Sequence, residues 1–162
     1  MKKVRIGVLG VGRGAGLARS ARLAPSVELA ALCDMSEERL AKASATMGVQ
    51  TTYTSYEAML DSDVDAVLVA SPMPLHVKHA VQALRAGKHV LSEVTAATSI
   101  EECWELVEAV RDSGLKYMLA ENYCYMRPWS IVLNMVRAGL FGELYDGESD
   151  QLQDFASRLP HP

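Results

Sequence analysis

"GVLGVGRGAG", residues 7–16, puts five glycines into ten positions directly after the apolar run that opens the chain. Glycine inside a regular element costs roughly 0.5–1 kcal/mol relative to alanine, so such a density needs a structural reason. In frame, Gly10, Gly12 and Ala15 fit G-x-G-x-x-G/A, with a strand pattern before them, Val4 to Leu9, and a helical pattern ending near Leu23 after them. The first glycine allows the tight turn and the second lets a pyrophosphate approach the backbone. The small third residue lets the helix pack on its strand, and the helix N-terminal amides hold the phosphates. Arg13 and Gly14 lie within the same turn and are read with it as dinucleotide-binding. Gly14 and Gly16 exceed the pattern, which points to a close approach by ligand or backbone.

Asp34 follows the second strand pattern, Val27 to Cys33, and stands 24 residues after Gly10. A carboxylate there accepts hydrogen bonds from the adenosine ribose hydroxyls and repels a 2'-phosphate, so NAD is expected in preference to NADP. Asp is equally suited to capping the next helix, and Arg39 lies close enough in sequence to bear on the preference.

Short β-branched runs alternate with helical periods along most of the chain, the pattern of a parallel sheet with crossover helices. The expected fold class is α/β, a Rossmann-type doubly wound sheet followed by part of a second, α+β domain. "VDAVLVA", Val64 to Ala70, is apolar enough for a central strand buried on both faces. In "TSIEECWELVEAVRDSG", Ile100, Cys103, Trp104, Val107 and Val110 share one helical face, and Thr98 with Glu101 fits a capping box. Gly48, Gly87 and Gly114 punctuate helix ends. The texture changes at Asn122, so residues 1–121 read as the cofactor-binding domain and 122–162 as the beginning of a substrate and oligomerisation domain. The latter opens with a helix from about Pro128 to Ala138, followed by an extended strand around Leu144 to Leu152.

Composition narrows the function classes. A formal charge of −4 with no dense Lys/Arg block argues against nucleic acid, and no uninterrupted apolar run approaches the ~20 residues of a membrane span. Cys33, Cys103 and Cys124 form an odd set without C-x-x-C spacing, which points away from a disulfide framework or zinc site and toward a reducing cytoplasm. His76 and His79 have no third ligand at matching spacing, so no metal is expected.

Taken together, these pieces resemble the Gfo/Idh/MocA family of NAD(P)-dependent oxidoreductases, which act largely on sugars, polyols and related compounds. The resemblance implies that Ser71, Pro72 and His76 form a loop lining the dinucleotide site, although Pro74 starting a helix explains the same residues structurally. It also implies that Glu93 faces the nicotinamide ribose. The family has Glu-Lys-Pro at this point, whereas this chain has Glu93, Val94 and Thr95, and valine can neither donate a proton nor polarise a carbonyl. The Glu-Val variant, with "ENYCY" and "NMVRAGLFGEL", is similar to a branch that includes NAD-dependent glycoside hydrolases, in which transient oxidation enables elimination. Asn122, Tyr123 and Tyr125 fall where family members contact nicotinamide and substrate, a position that hinge packing explains equally.

The family's catalytic residues belong to the second domain, and His161, between two prolines, is no replacement. The chain by itself is therefore expected to bind cofactor without turnover. Its expected place is in a homo-oligomer formed through the C-terminal sheet. Redox-neutral glycoside cleavage and a non-catalytic NAD-binding module are the competing functions.

Overall fold

Val67, Leu68 and Val69 are completely shielded from solvent, and their side chains alternate between two separate hydrophobic layers. That alternation is the signature of a strand covered on both faces, and it fixes the centre of the fold. The computed structural model describes residues 2–148 and 150. The chain divides into two compact units, Met1–Glu121 and Asn122–Pro162.

The first unit is a six-stranded parallel sheet. Its strands are β1 (Val4–Leu9), β2 (Val27–Cys33), β3 (Thr52–Tyr53), β4 (Ala66–Val69), β5 (His89–Ser92) and β6 (Tyr117–Leu119). They lie side by side in the order β3-β2-β1-β4-β5-β6, with every pairing parallel. The crossover helices are α1 (Gly14–Ala21), α2 (Glu37–Met47), α3 (Tyr56–Leu60), α4 (His76–Arg85) and α5 (Ile100–Ser113). One layer gathers Val8, Leu32 and Leu68 with Ala18 of α1 and Leu40 and Met47 of α2. The other joins Val67 and Val69 to Met59 of α3, to Val77, Ala80 and Leu84 of α4, and to Leu106 of α5. The order of strands reverses between β1 and β4, and there the connections leave for opposite faces of the sheet, opening a crevice at the carboxyl ends of the strands.

Local signals set the helix ends. Ser36 caps α2 by accepting from Arg39 N, and Gly48 ends it in the left-handed conformation. At α5 the capping pair sits one residue beyond the expected Thr98 and Glu101. Ser99 accepts from Glu102 N, while the Glu102 carboxylate takes the N–H and hydroxyl of Thr98. The shared apolar face of this helix is only partly buried: Val110 packs against the core beside the buried Leu106, whereas Ile100 and Trp104 are 72% and 58% exposed.

In the second unit, a 3-10 turn at Tyr123–Tyr125 leads into α6 (Arg127–Arg137), with Pro128 in the first turn where its missing N–H costs nothing. The strand expected around Leu144 to Leu152 is not formed among residues 144–148 and 150, and the rest of that stretch, like His161, lies outside the described residues.

Two of the opening glycines are explained by close approach. Gly10 has φ +89°, and a Cβ there would lie 2.3 Å from the Ala70 carbonyl oxygen. At Gly14 a Cβ would meet Val8 Cγ1 at 2.9 Å and Ala70 Cβ at 3.0 Å, so Gly14, rather than Ala15, lets the helix settle on the sheet. Gly16 has no such neighbour within 4 Å. Gly14→Ala is expected to destabilise the fold by about 1–3 kcal/mol through overpacking, and Gly16→Ala to stabilise it by about 0.5–1 kcal/mol. Urea unfolding midpoints of both variants measure this, and shifts of the same sign would contradict it.

Candidate functional site

The backbone ladder runs to the last residue of each central strand. Gly10 N donates to Cys33 O at 2.8 Å, Ala70 N to Leu9 O at 2.8 Å and Glu93 N to Val69 O at 2.8 Å. The loops that follow β1, β2, β4 and β5 therefore leave from one common edge. Gly10, Gly12, Arg13, Gly14 and Ala15 follow β1, Asp34 follows β2, Ser71, Pro72 and His76 follow β4, and Glu93 follows β5. Asn122, the remaining expected site residue, opens the second unit, where its carbonyl accepts from Tyr125 N at 3.1 Å.

Asp34 is buried and accepts four hydrogen bonds. Oδ2 takes Val11 N at 3.1 Å, and Oδ1 takes Ser36 N at 3.0 Å together with Arg39 Nε at 3.1 Å and Nη2 at 2.8 Å. The carboxylate thus ties the glycine turn to the start of α2; the α2 cap itself is Ser36. Burial pushes the Asp34 carboxyl up, but the hydrogen bonds from Arg39, Ser36 and Val11 and the guanidinium charge outweigh it, leaving the pKa below the ordinary carboxylate value. The neighbouring Cys33 thiol is pushed up to about 11, by burial first and then by the charges of Asp34 and Glu57.

At the other end of the crevice, Arg13 reaches from the glycine turn to Glu93, with Nε and Nη2 donating to Oε1 at 3.2 and 3.1 Å. Glu93 is buried while Arg13 is largely exposed. His76 is almost fully buried, its Nδ1 2.7 Å from Thr95 O and its Nε2 2.7 Å from Ser71 O. Both partners are backbone carbonyl oxygens. His76 thereby holds the β4 loop to the β5 loop. His79 pairs through Nδ1 with Ser71 Oγ at 2.8 Å and meets the Tyr56 ring edge-on, and burial lowers its pKa.

These residues fit a dinucleotide. Gly12 is exposed beside the N-terminus of α1, and no protein atom comes within 4 Å of where its Cβ would stand, so the backbone is open to a phosphate there. Residues 4–121 match the family described as oxidoreductases with an NAD-binding Rossmann fold. The chain belongs to this Gfo/Idh/MocA oxidoreductase family.

Among relatives in the family, a glycosyl hydrolase family 109 protein of Solibacter usitatus is 38% identical over 96% of this chain and 39% of its own length. The structure of Lactobacillus plantarum myo-inositol 2-dehydrogenase superposes with a TM-score of 0.81 at 27% identity, covering 88% of this chain and 43% of that one. Scyllo-inositol dehydrogenase of Lactobacillus casei, solved with bound NAD(H) and scyllo-inositol, gives 0.80 at 26% identity over 88% and 43%. The chain thus spans less than half the length of these relatives.

Arg39, which the sequence already places near Asp34, folds its side chain back onto the carboxylate. Two other features went unanticipated in the sequence. The Arg13–Glu93 pair joins residues 80 apart in sequence. Arg19 and Lys42 face the space between α1 and α2, and a signal for it existed. Ala15 and Arg19 are spaced i, i+4, and Arg39, Lys42, Ala43 and Thr46 are spaced i, i+3, i+4, i+7, so each set lies on one helical face.

The depressed Asp34 pKa has a definite sign. Its stabilisation is complete above the ordinary Asp value of about 3.9 and is lost as pH falls through the lower folded value. Urea titrations at a series of acidic pH values should therefore show a shallower loss of stability in Asp34→Asn than in the wild type. Parallel curves would contradict the assignment.

Proposed function

We propose that this chain binds NAD across the carboxyl edge of its sheet and forms the cofactor half of an enzyme acting on a hydroxyl-bearing carbon of a sugar or polyol. The observation that carries this is the Gly10 turn held to Asp34 at the switch point of the sheet. Gly12 and the α1 N-terminus receive the pyrophosphate, Asp34 the adenosine ribose and Glu93 the nicotinamide ribose. Ser71, Pro72 and His76 shape the wall between them. Arg13 exchanges Glu93 for a cofactor phosphate. The bound nicotinamide would supply a two-electron acceptor, used once in net oxidation or reversibly in elimination chemistry.

Redox-neutral glycoside cleavage is the second reading. It is favoured by Val94, which leaves no ammonium where the family's lysine stands, and by the family 109 glycosyl hydrolases among the relatives. In the full-length enzyme, a deuterated substrate distinguishes the two: label kept in the released sugar without net reduced cofactor supports cleavage, and accumulation of reduced cofactor supports oxidation.

Calorimetric titration should show saturable NAD binding, weakened by roughly 1–3 kcal/mol in Asp34→Ala. Undiminished binding in that variant would overturn the ribose assignment. The 162-residue chain by itself is expected to give no turnover with a panel of sugars, polyols and glycosides, because Val94 cannot move a proton and Glu93 is taken up by the nicotinamide ribose. Turnover that disappears in Glu93→Gln or Tyr125→Phe would show a complete active site in this chain.

A further inference from the structure

The first turn of α4 carries two histidines, and both are aimed back at one residue, Ser71, in the loop that follows β4. His76 Nε2 lies 2.7 Å from the Ser71 carbonyl oxygen, and His79 Nδ1 lies 2.8 Å from the Ser71 hydroxyl oxygen. The first contact holds the backbone, and the second decides where the hydroxyl proton points. Helix capping does not account for the serine, because neither the 3-10 turn at Met73–Leu75 nor α4 has a side-chain cap. The His79 ring is itself fixed. Tyr56 of α3 donates its hydroxyl to the His79 carbonyl at 2.9 Å and meets the ring edge-on, with centroids 5.2 Å apart. Burial, Lys78 and His76 oppose a charge on the ring and Glu57 of α3 favours it, so in the free chain the ring titrates below the ordinary histidine value and is neutral at neutral pH.

We propose that His79 is a positioning residue for cofactor binding: it directs the Ser71 hydroxyl, and it takes up a proton when a dinucleotide occupies the crevice. The proposal rests on the dinucleotide-binding reading above, in which Ser71 belongs to the wall between the phosphates and the nicotinamide ribose. A serine hydroxyl has one proton to give. While Nδ1 of His79 is bare, that proton goes to the ring, and the crevice is offered only lone pairs, which repel the oxygens of a phosphate. With a proton on Nδ1, the ring donates to Ser71 Oγ and the hydroxyl is released to donate to an acceptor oxygen of the ligand. The pyrophosphate brings negative charge to the same edge, which favours the doubly protonated ring over the neutral one. One proton enters from solvent onto His79, and the hydroxyl proton stays on Ser71. The sign follows from linkage: a ring that holds its proton more firmly in the complex than in the free chain makes binding tighter as pH falls through the histidine range.

The test has two readouts. NMR follows the His79 ring proton of the wild-type chain from about pH 5 to about pH 8, with and without saturating NAD, the resonance being identified by its loss in His79→Asn. Calorimetry measures NAD binding at both ends of that range for the chain, Ser71→Ala, His79→Asn and the double variant. Asparagine keeps a hydrogen-bonding group but cannot take a charge. Both side chains are only partly buried, and urea unfolding checks that the variants fold. The expected result is a His79 titration moved to higher pH by NAD, and wild-type binding about tenfold tighter at the acidic end than at the basic end. Each single variant should remove most of that pH dependence, and the double variant should bind no worse than Ser71→Ala. A His79 titration that NAD leaves unmoved, a pH dependence kept in His79→Asn, or losses from the two substitutions that simply add would overturn the proposal and leave the dinucleotide site standing. Failure of the wild type to bind NAD at either pH would bring down the dinucleotide reading and this proposal with it.

Discussion

The backbone of Gly10 passes so near the Ala70 carbonyl that no side chain fits between them. This contact joins the two strands that diverge at the switch point, and it sets how close the β1 and β4 loops can come. Gly14 repeats the constraint one turn later, seating α1 against Val8 and Ala70. Because both contacts are made by backbone and small groups, α1 begins directly over the crevice, and the edge of the sheet is shaped before any charged side chain is considered.

On that edge, charge is arranged by two ion pairs, one local and one that connects loops distant in sequence. Arg39 and the Val11 and Ser36 amides surround Asp34 at one end, and Arg13 covers Glu93 at the other. Each pairs a buried carboxylate with an exposed guanidinium. A buried anion left alone is costly, whereas an exposed arginine changes partners with little loss of solvation. Under the proposed function, ligand binding at such a site is an exchange of partners, in which Arg13 turns toward phosphate as ribose hydroxyls reach Glu93.

The fold was legible in the sequence because its signals are coarse and mutually consistent. Buried β-branched runs and helix-ending glycines specify the same alternating order. The glycine turn and Asp34 were legible for the same reason, since a fixed spacing follows from a fixed turn. What escaped depends on side-chain direction. "TSIEE" contains two overlapping capping pairs, Thr98 with Glu101 and Ser99 with Glu102, and spacing does not choose between them. The apolar residues of α5 fall on more than one stripe, and which stripe meets the sheet is decided by the crossover, so Leu106 is buried while Trp104 is not. Nor does counting glycines tell Gly14, wedged against the sheet, from Gly16, which meets nothing.

Cys33 closes the floor of the crevice beside Asp34, buried at the end of β2, with its thiol held up to about 11. At neutral pH the thiol predominates over the thiolate, the form that oxidants and alkylating reagents attack. The sulfur next to the Asp34 carboxylate is therefore chemically silent for as long as the strand stays seated. Its modification becomes a clock for the opening of β2, recording the moment at which the sheet edge that organises the site comes apart.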